Sequence, residues 1–170
     1  TGFDRWEILP GQGVYHDPVL YSATGERTYS GRYVTDVITD LGIDFLRERP
    51  KDRPFFLMLH HKAPHREWTP DDKHRRLFEG RTIPEASTLW DDYATRTDAL
   101  RENQQRVADD LTRRDLKLEP PSGLVGKDRD AWLSVKPTEA ALIADGKTTT
   151  LAGEALTRWK YQLYMQDYLA

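Results

Sequence analysis

The 170-residue chain contains no cysteine, so a disulfide framework, a thiolate zinc site and a cysteine nucleophile are all excluded within it. It also lacks long apolar runs. None approaches the roughly 18 residues needed to span a bilayer, and Thr1-Gly2-Phe3-Asp4 has nothing of a basic, apolar, cleavable leader. Excess charge of one sign is missing as well. The net charge is −3 although 31% of residues are charged, which suggests neither a nucleic-acid-binding polycation nor an acidic disordered tail. Internal repeats and low-complexity tracts are absent. With 38% apolar residues, the composition is that of a globular chain of single-domain size.

Punctuation dominates the first segment. Gly2, Pro10, Gly11, Gly13, Pro18, Gly25 and Gly31 break residues 2–33 into loop and short strands. Gly11-Gln12-Gly13 follows a proline and precedes a Tyr-His-Asp-Pro turn, which is not the strand and helix context of a phosphate cradle. From Ser30 the period changes. Val34, Val37, Ile38, Leu41 and Phe45 recur at three- and four-residue spacing, so one apolar stripe runs along a helix ending near Arg49, before Pro50. The run FFLML at 55–59 is too short for a helix and predicts a strand buried on both faces, as in parallel sheets.

Thr69-Pro70-Asp71-Asp72 has the chemistry of a helix start and predicts a short helix to about Phe78, closed by Gly80. Residues 91–117 hold thirteen charged side chains around a narrow stripe of Tyr93, Leu100, Val107 and Leu111, which predicts a long solvated helix. Residues 118–150 read as an irregular excursion. A final helix carrying Leu156, Trp159, Tyr161, Leu163, Tyr164, Met165 and Tyr168 is expected to be buried.

The chemistry concentrates where the apolar run ends, in His60-His61-Lys62-Ala63-Pro64-His65. Ligands in open parallel sheets sit beyond the carboxyl ends of strands. Pro64 restricts its own φ and the conformation of Ala63, so His65 is presented with little freedom. An imidazole near an ammonium suits a sulfate or phosphate ester, whose leaving oxygen gathers charge that a positioned histidine neutralises. The plainer alternative makes His60 and His61 core and surface residues at a strand end, and strand alternation favours it for His60. A metal held by His61 and His65 is disfavoured, because their spacing crosses a proline loop. Asp145-Gly146 and His16-Asp17-Pro18 read as turns, and His74 lies in a charged stretch. Asp4, Trp6 and Glu7 are open to either a ligand-facing or a structural role.

The segment VTDVITDLGIDFLRERPKDRPFFLMLHHKAPHREW at 34–68 resembles the central part of the formylglycine-dependent sulfatases. In that family a helix, a basic turn and a Pro-Phe-Phe-Leu strand lead to a Pro-His pair in the active site. GFDRW at 2–6 and WKYQLYMQDYLA at 159–170 resemble segments flanking this core in the same order. The resemblance implies an alkaline-phosphatase-like fold, a mixed and largely parallel sheet flanked by helices, incomplete in this chain. It implies hydrolysis of sulfate esters, with sulfated glycans such as 6-O-sulfated N-acetylglucosamine as substrates, and a periplasmic or extracellular location. His65 corresponds to the histidine contacting sulfate and the leaving oxygen, and Lys62 to a substrate-binding lysine. Arg66, Glu67 and Trp68 are candidates for a sugar subsite, with packing or exposure as the plainer reading of each.

The family's calcium and formylglycine are expected outside these residues. No serine among Ser22, Ser30, Ser87, Ser122 and Ser134 has proline two places on, so the Cys/Ser-x-Pro-x-Arg nucleophile motif is absent. The Gly-Lys-Trp-His segment and the late Asp-Asn or Asp-His pair are missing too. Residues 1–170 are therefore expected to be a central piece of a sulfatase catalytic domain, with an insertion at about 81–150, inactive alone. Two other readings remain: a phosphodiesterase or phosphatase of the same superfamily, and a non-catalytic helical module binding a partner through 91–117.

Overall fold

A computed structural model describes residues 2–66, 68–120 and 151–170. The chain divides into two compact units, Thr1–Arg75 and Arg76–Ala170.

In the first unit, β1 (Glu7–Ile8), β2 (Val19–Ser22) and β3 (Gly25–Thr28) form an antiparallel sheet in the order β1-β2-β3. The β2-β3 register pairs Val19 with Thr28 and Ser22 with Gly25, so only Ala23 and Thr24 connect the strands. Ser22 fixes this turn by donating to the Gly25 carbonyl (3.1 Å) while accepting from the Thr24 N–H (3.2 Å). The loop and short strands expected over 2–33 are thus observed.

Helix α1 (Val34–Glu48) follows the predicted stripe, burying Val34, Val37, Ile38 and Gly42. Asp36 in its first turn and Arg47 in its last both complement the helix dipole. Tyr33 precedes the helix in extended conformation, and the Val34 N–H donates to the Tyr15 carbonyl (2.8 Å), tying the helix start to the upstream loop. Tyr15, Val34 and Ile38 form a core cluster with Leu9 and Tyr33 packed against it. At the far end, Lys51 Nζ donates to the Leu46 carbonyl (2.7 Å), satisfying one of the helix's orphan acceptors.

The expectation for 55–59 needs correction. The run carries no strand ladder with any described residue, and it is not buried: Phe55 is 48% exposed and Phe56 is 72% exposed. Alternation survives. Phe55 meets Phe45 of α1 edge-on (5.8 Å between centroids) and Leu59 abuts Gly42, while Phe56 stacks on Phe3 (6.4 Å). The Arg49 guanidinium covers the Phe55 ring at 4.3 Å. The single sheet among the described residues is therefore the antiparallel one, and no described backbone supplies the neighbours that would bury this run.

Two predicted helices are absent. After Pro70 the chain makes successive turns, with the Asp71 carboxylate accepting from the His74 N–H (2.8 Å) and the Asp71 carbonyl from the Arg75 N–H (3.0 Å). In the second unit only α2 (Asp98–Arg101) forms within 91–117. Short polar side chains divert the backbone there. Asp91 accepts from Tyr93 N–H (2.8 Å), Asp92 from Ala94 N–H (2.9 Å), Asp110 from Arg106 N–H (2.8 Å) and Asp115 from Thr112 N–H (2.8 Å). The Asp91 and Asp92 bonds, each to the N–H two residues on, are Asx turns that offer the backbone a local alternative to the helical ladder. A helical interaction module built on 91–117 accordingly loses its element.

Helix α3 (Gly153–Tyr168) matches the last predicted helix but is buried only at Thr157, Tyr161 and Asp167. It holds the segment near Ile83 through polar side chains. Gln162 accepts from the Ile83 N–H and donates to the Ile83 carbonyl, both at 2.8 Å; Tyr161 donates to the Pro84 carbonyl (2.7 Å) and Gln166 to that of Arg81 (2.7 Å). Of the insertion expected at 81–150, residues 121–150 lie outside the described residues, as does the Asp145-Gly146 turn. No helix among the described residues is long and apolar enough to cross a membrane.

Candidate active-site loop

The loop at 62–70 lies wholly within the first unit. It begins with a tight turn closed by the His65 N–H on the Lys62 carbonyl (2.8 Å). Its backbone is held by rings from three upstream residues. The Tyr15 hydroxyl donates to the His65 carbonyl (2.5 Å) and the Tyr33 hydroxyl to the Thr69 carbonyl (2.8 Å). His16 Nε2 lies 3.3 Å from the Pro70 carbonyl, so the tautomer that makes this bond carries its proton on Nε2.

His65, the residue predicted to do chemistry, has an exposed side chain above this anchored backbone. Its Nδ1 meets the Arg66 carbonyl, which requires a proton on Nδ1 and leaves Nε2 as the ring's other ligand atom. In the doubly protonated ring Nε2–H becomes a cationic donor, the form that neutralises a departing alkoxide.

Lys62, the predicted substrate-binding residue, is engaged locally. Its ammonium donates to the Gln12 carbonyl (2.8 Å) and sits 4.6 Å from the Tyr15 ring centroid. Burial pulls its pKa below the ordinary lysine value. Sequence neighbours of His65 divide: Arg66 is exposed and Trp68 half-buried, while Glu67 lies outside the described residues. His60 is exposed rather than in the core, on a mostly apolar groove of about 470 Å³ that Trp6, Glu7, Leu41, Phe45 and Phe56 also line. Glu7 accepts from the Tyr29 hydroxyl (2.9 Å), and Asp4 is exposed. His61 is exposed too.

Beside the loop, Asp71 is only 8% exposed. Burial alone would raise its pKa, but the His74 backbone N–H, the His74 imidazole and Lys73 together outweigh this and hold the carboxyl below the usual range. His74 Nδ1 lies 2.7 Å from Asp71 Oδ1. Among the described residues, no group of three or more His, Cys, Asp or Glu is arranged to hold a metal.

The supports at Tyr15 and Tyr33 were not singled out by the sequence, since nothing local in it links them to a loop some 50 and 36 residues downstream. Comparison with known proteins supplies the wider context. No family model matches the chain. An N-acetylglucosamine-6-O-sulfatase of Bacteroides thetaiotaomicron is 40% identical across 99% of this chain and 33% of its own length. The chain belongs to the sulfatase family. N-acetylglucosamine-6-sulfatases of Homo sapiens and Bos taurus are each 31% identical across 49% of this sulfatase segment. The solved structure of BT4656 in complex with its substrate D-glucosamine-2-N,6-O-disulfate superposes with a TM-score of 0.80 and 38% identity, over 99% of this chain and 37% of that one. The segment thus spans about a third of the length of the relatives it matches throughout.

Proposed function

We propose that a full-length protein carrying this segment hydrolyses sulfate esters of glycans, with 6-O-sulfated glucosamine or N-acetylglucosamine as the substrate class. The observation that carries this reading is the match over 99% of the chain to an N-acetylglucosamine-6-O-sulfatase, together with a neighbour whose bound substrate is a 6-O-sulfated glucosamine. In this reading 55–59 is a strand of an alkaline-phosphatase-like, largely parallel sheet whose other strands come from the remaining two-thirds of such a protein. Its exposed apolar side chains are what such a strand would bury.

His65 then acts at the leaving group. A sulfate ester breaks at the S–O bond with negative charge building on the sugar O6, and a protonated imidazole Nε2–H donates to that oxygen as it departs. Lys62 is the substrate-binding cation of this reading, carried on the Tyr15 ring. Calcium and a formylglycine nucleophile belong to the same proposal, and the residues that would hold or form them are not among those described here.

Sulfate release from 6-O-sulfated N-acetylglucosamine, measured beside a phosphate diester and a phosphate monoester, tests the proposal. Turnover of the sulfate ester is expected to dominate. Preference for either phosphate would replace sulfuryl transfer with phosphoryl transfer at this loop.

A further inference from the structure

We propose that Tyr15 and Tyr33 are positioning residues that fix the His65 loop by hydrogen bonding to its backbone at its middle and its far end. The inference rests on the reading of His65 given above and concerns groups that never touch the substrate.

The two tyrosines form one rigid support. Their rings stack at 6.0 Å with 18° between planes, Tyr15 is only 8% exposed, and both pack with Val34 and Ile38 at the start of α1. The Tyr15 carbonyl receives the Val34 N–H (2.8 Å), so the support is tied to the helix through main chain as well as through rings. From this base the Tyr15 hydroxyl reaches His65 and the Tyr33 hydroxyl reaches Thr69. The His16 ring lies against Tyr33 (5.3 Å) and extends the same row to Pro70. The carbonyls of residues 65, 69 and 70 are thus taken from beneath, while the His65 side chain stays exposed.

Lys62 completes the arrangement, because its ammonium on the Tyr15 face pins the loop's entry over the same ring that holds its middle. A catalytic group must be held within roughly 0.5 Å of its productive position, and a misplacement near 1 Å costs on the order of 100-fold in rate. Deleting one phenolic oxygen leaves the ring stack in place but frees the His65 carbonyl. The consequence falls on geometry rather than on binding.

The test uses the full-length protein, 6-O-sulfated N-acetylglucosamine with sulfate release followed long enough to measure slow turnover, and the variants Tyr15→Phe, Tyr33→Phe, His65→Ala and each Phe variant combined with His65→Ala. Expected are a fall in kcat of about tenfold for Tyr15→Phe and about threefold for Tyr33→Phe, with KM within about twofold. In the His65→Ala background each Phe variant is expected to change kcat less than about twofold, because there is no imidazole left to position. Equal losses in both backgrounds, or no loss with His65 present, would overturn the positioning role while leaving the sulfatase reading intact. Unchanged turnover for His65→Ala itself would remove the reading of His65, and this inference with it. Should Tyr15→Phe melt markedly earlier than the parent, Tyr33→Phe decides by the same pair of comparisons.

Discussion

Gly42 of α1 faces Leu59 so closely that a Cβ at residue 42 would lie 2.8 Å from Leu59 Cδ1. The helix and the segment that leads into the His65 loop therefore touch through a position with no side chain. Their separation is set by glycine.

Substitution at this contact is expected to depend on size. Leu59 is itself partly exposed, so its side-chain end can swing from a single methyl, and Gly42→Ala also gains helix propensity worth about 1 kcal/mol. Gly42→Ala is expected to change stability by less than about 1 kcal/mol. Gly42→Leu, which forces segment and helix apart, is expected to cost about 1–3 kcal/mol. Urea unfolding of the full-length variants measures both.

Acid is expected to loosen the turns after the loop. Asp71 has a depressed pKa, so its ionised form contributes stability that is complete above the unfolded carboxylate value of about 4 and is lost as pH falls through the lower folded value. Melting temperature should drop below pH 4 by less in Asp71→Ala than in the parent. At neutral pH that variant is expected to be about 0.5–1.5 kcal/mol less stable, because the turn loses the acceptor for the partly buried His74 N–H.

In the second unit, Gln162 serves both polar groups of the Ile83 backbone at 2.8 Å. Gln162→Leu leaves a half-buried N–H and carbonyl unmatched and is expected to cost about 1–3 kcal/mol, whereas Gln162→Glu keeps the acceptor and loses only the donor. Amide hydrogen exchange at Ile83 reads this directly: protection should fall steeply in Gln162→Leu and partly survive in Gln162→Glu.

What the sequence revealed follows how local each cause is. The stripe from Val34 to Phe45 gave α1 because burial period and helix period coincide there. The aromatic run of 156–168 gave α3, though Arg158, Lys160, Gln162 and Gln166 between its rings turned a core helix into one held by polar bonds. The same periodic reading failed at 91–117, where Asp91 and Asp92 draw the N–H groups two residues on into turns that a count of charges does not reveal. At the candidate site, Pro64 and His65 stood out through local chemistry. The tyrosines beneath them did not, because a phenol donating to a distant carbonyl leaves no periodic trace.

Family context and loop geometry meet in one side chain. Sulfate release from 6-O-sulfated N-acetylglucosamine by the full-length protein and by its His65→Ala variant, each shown to be folded by circular dichroism, is the most direct measurement. Removing a general acid costs 10²–10⁴-fold in typical cases, so kcat is expected to fall at least about 100-fold while the fold persists. Equal turnover by the two proteins would contradict the assignment.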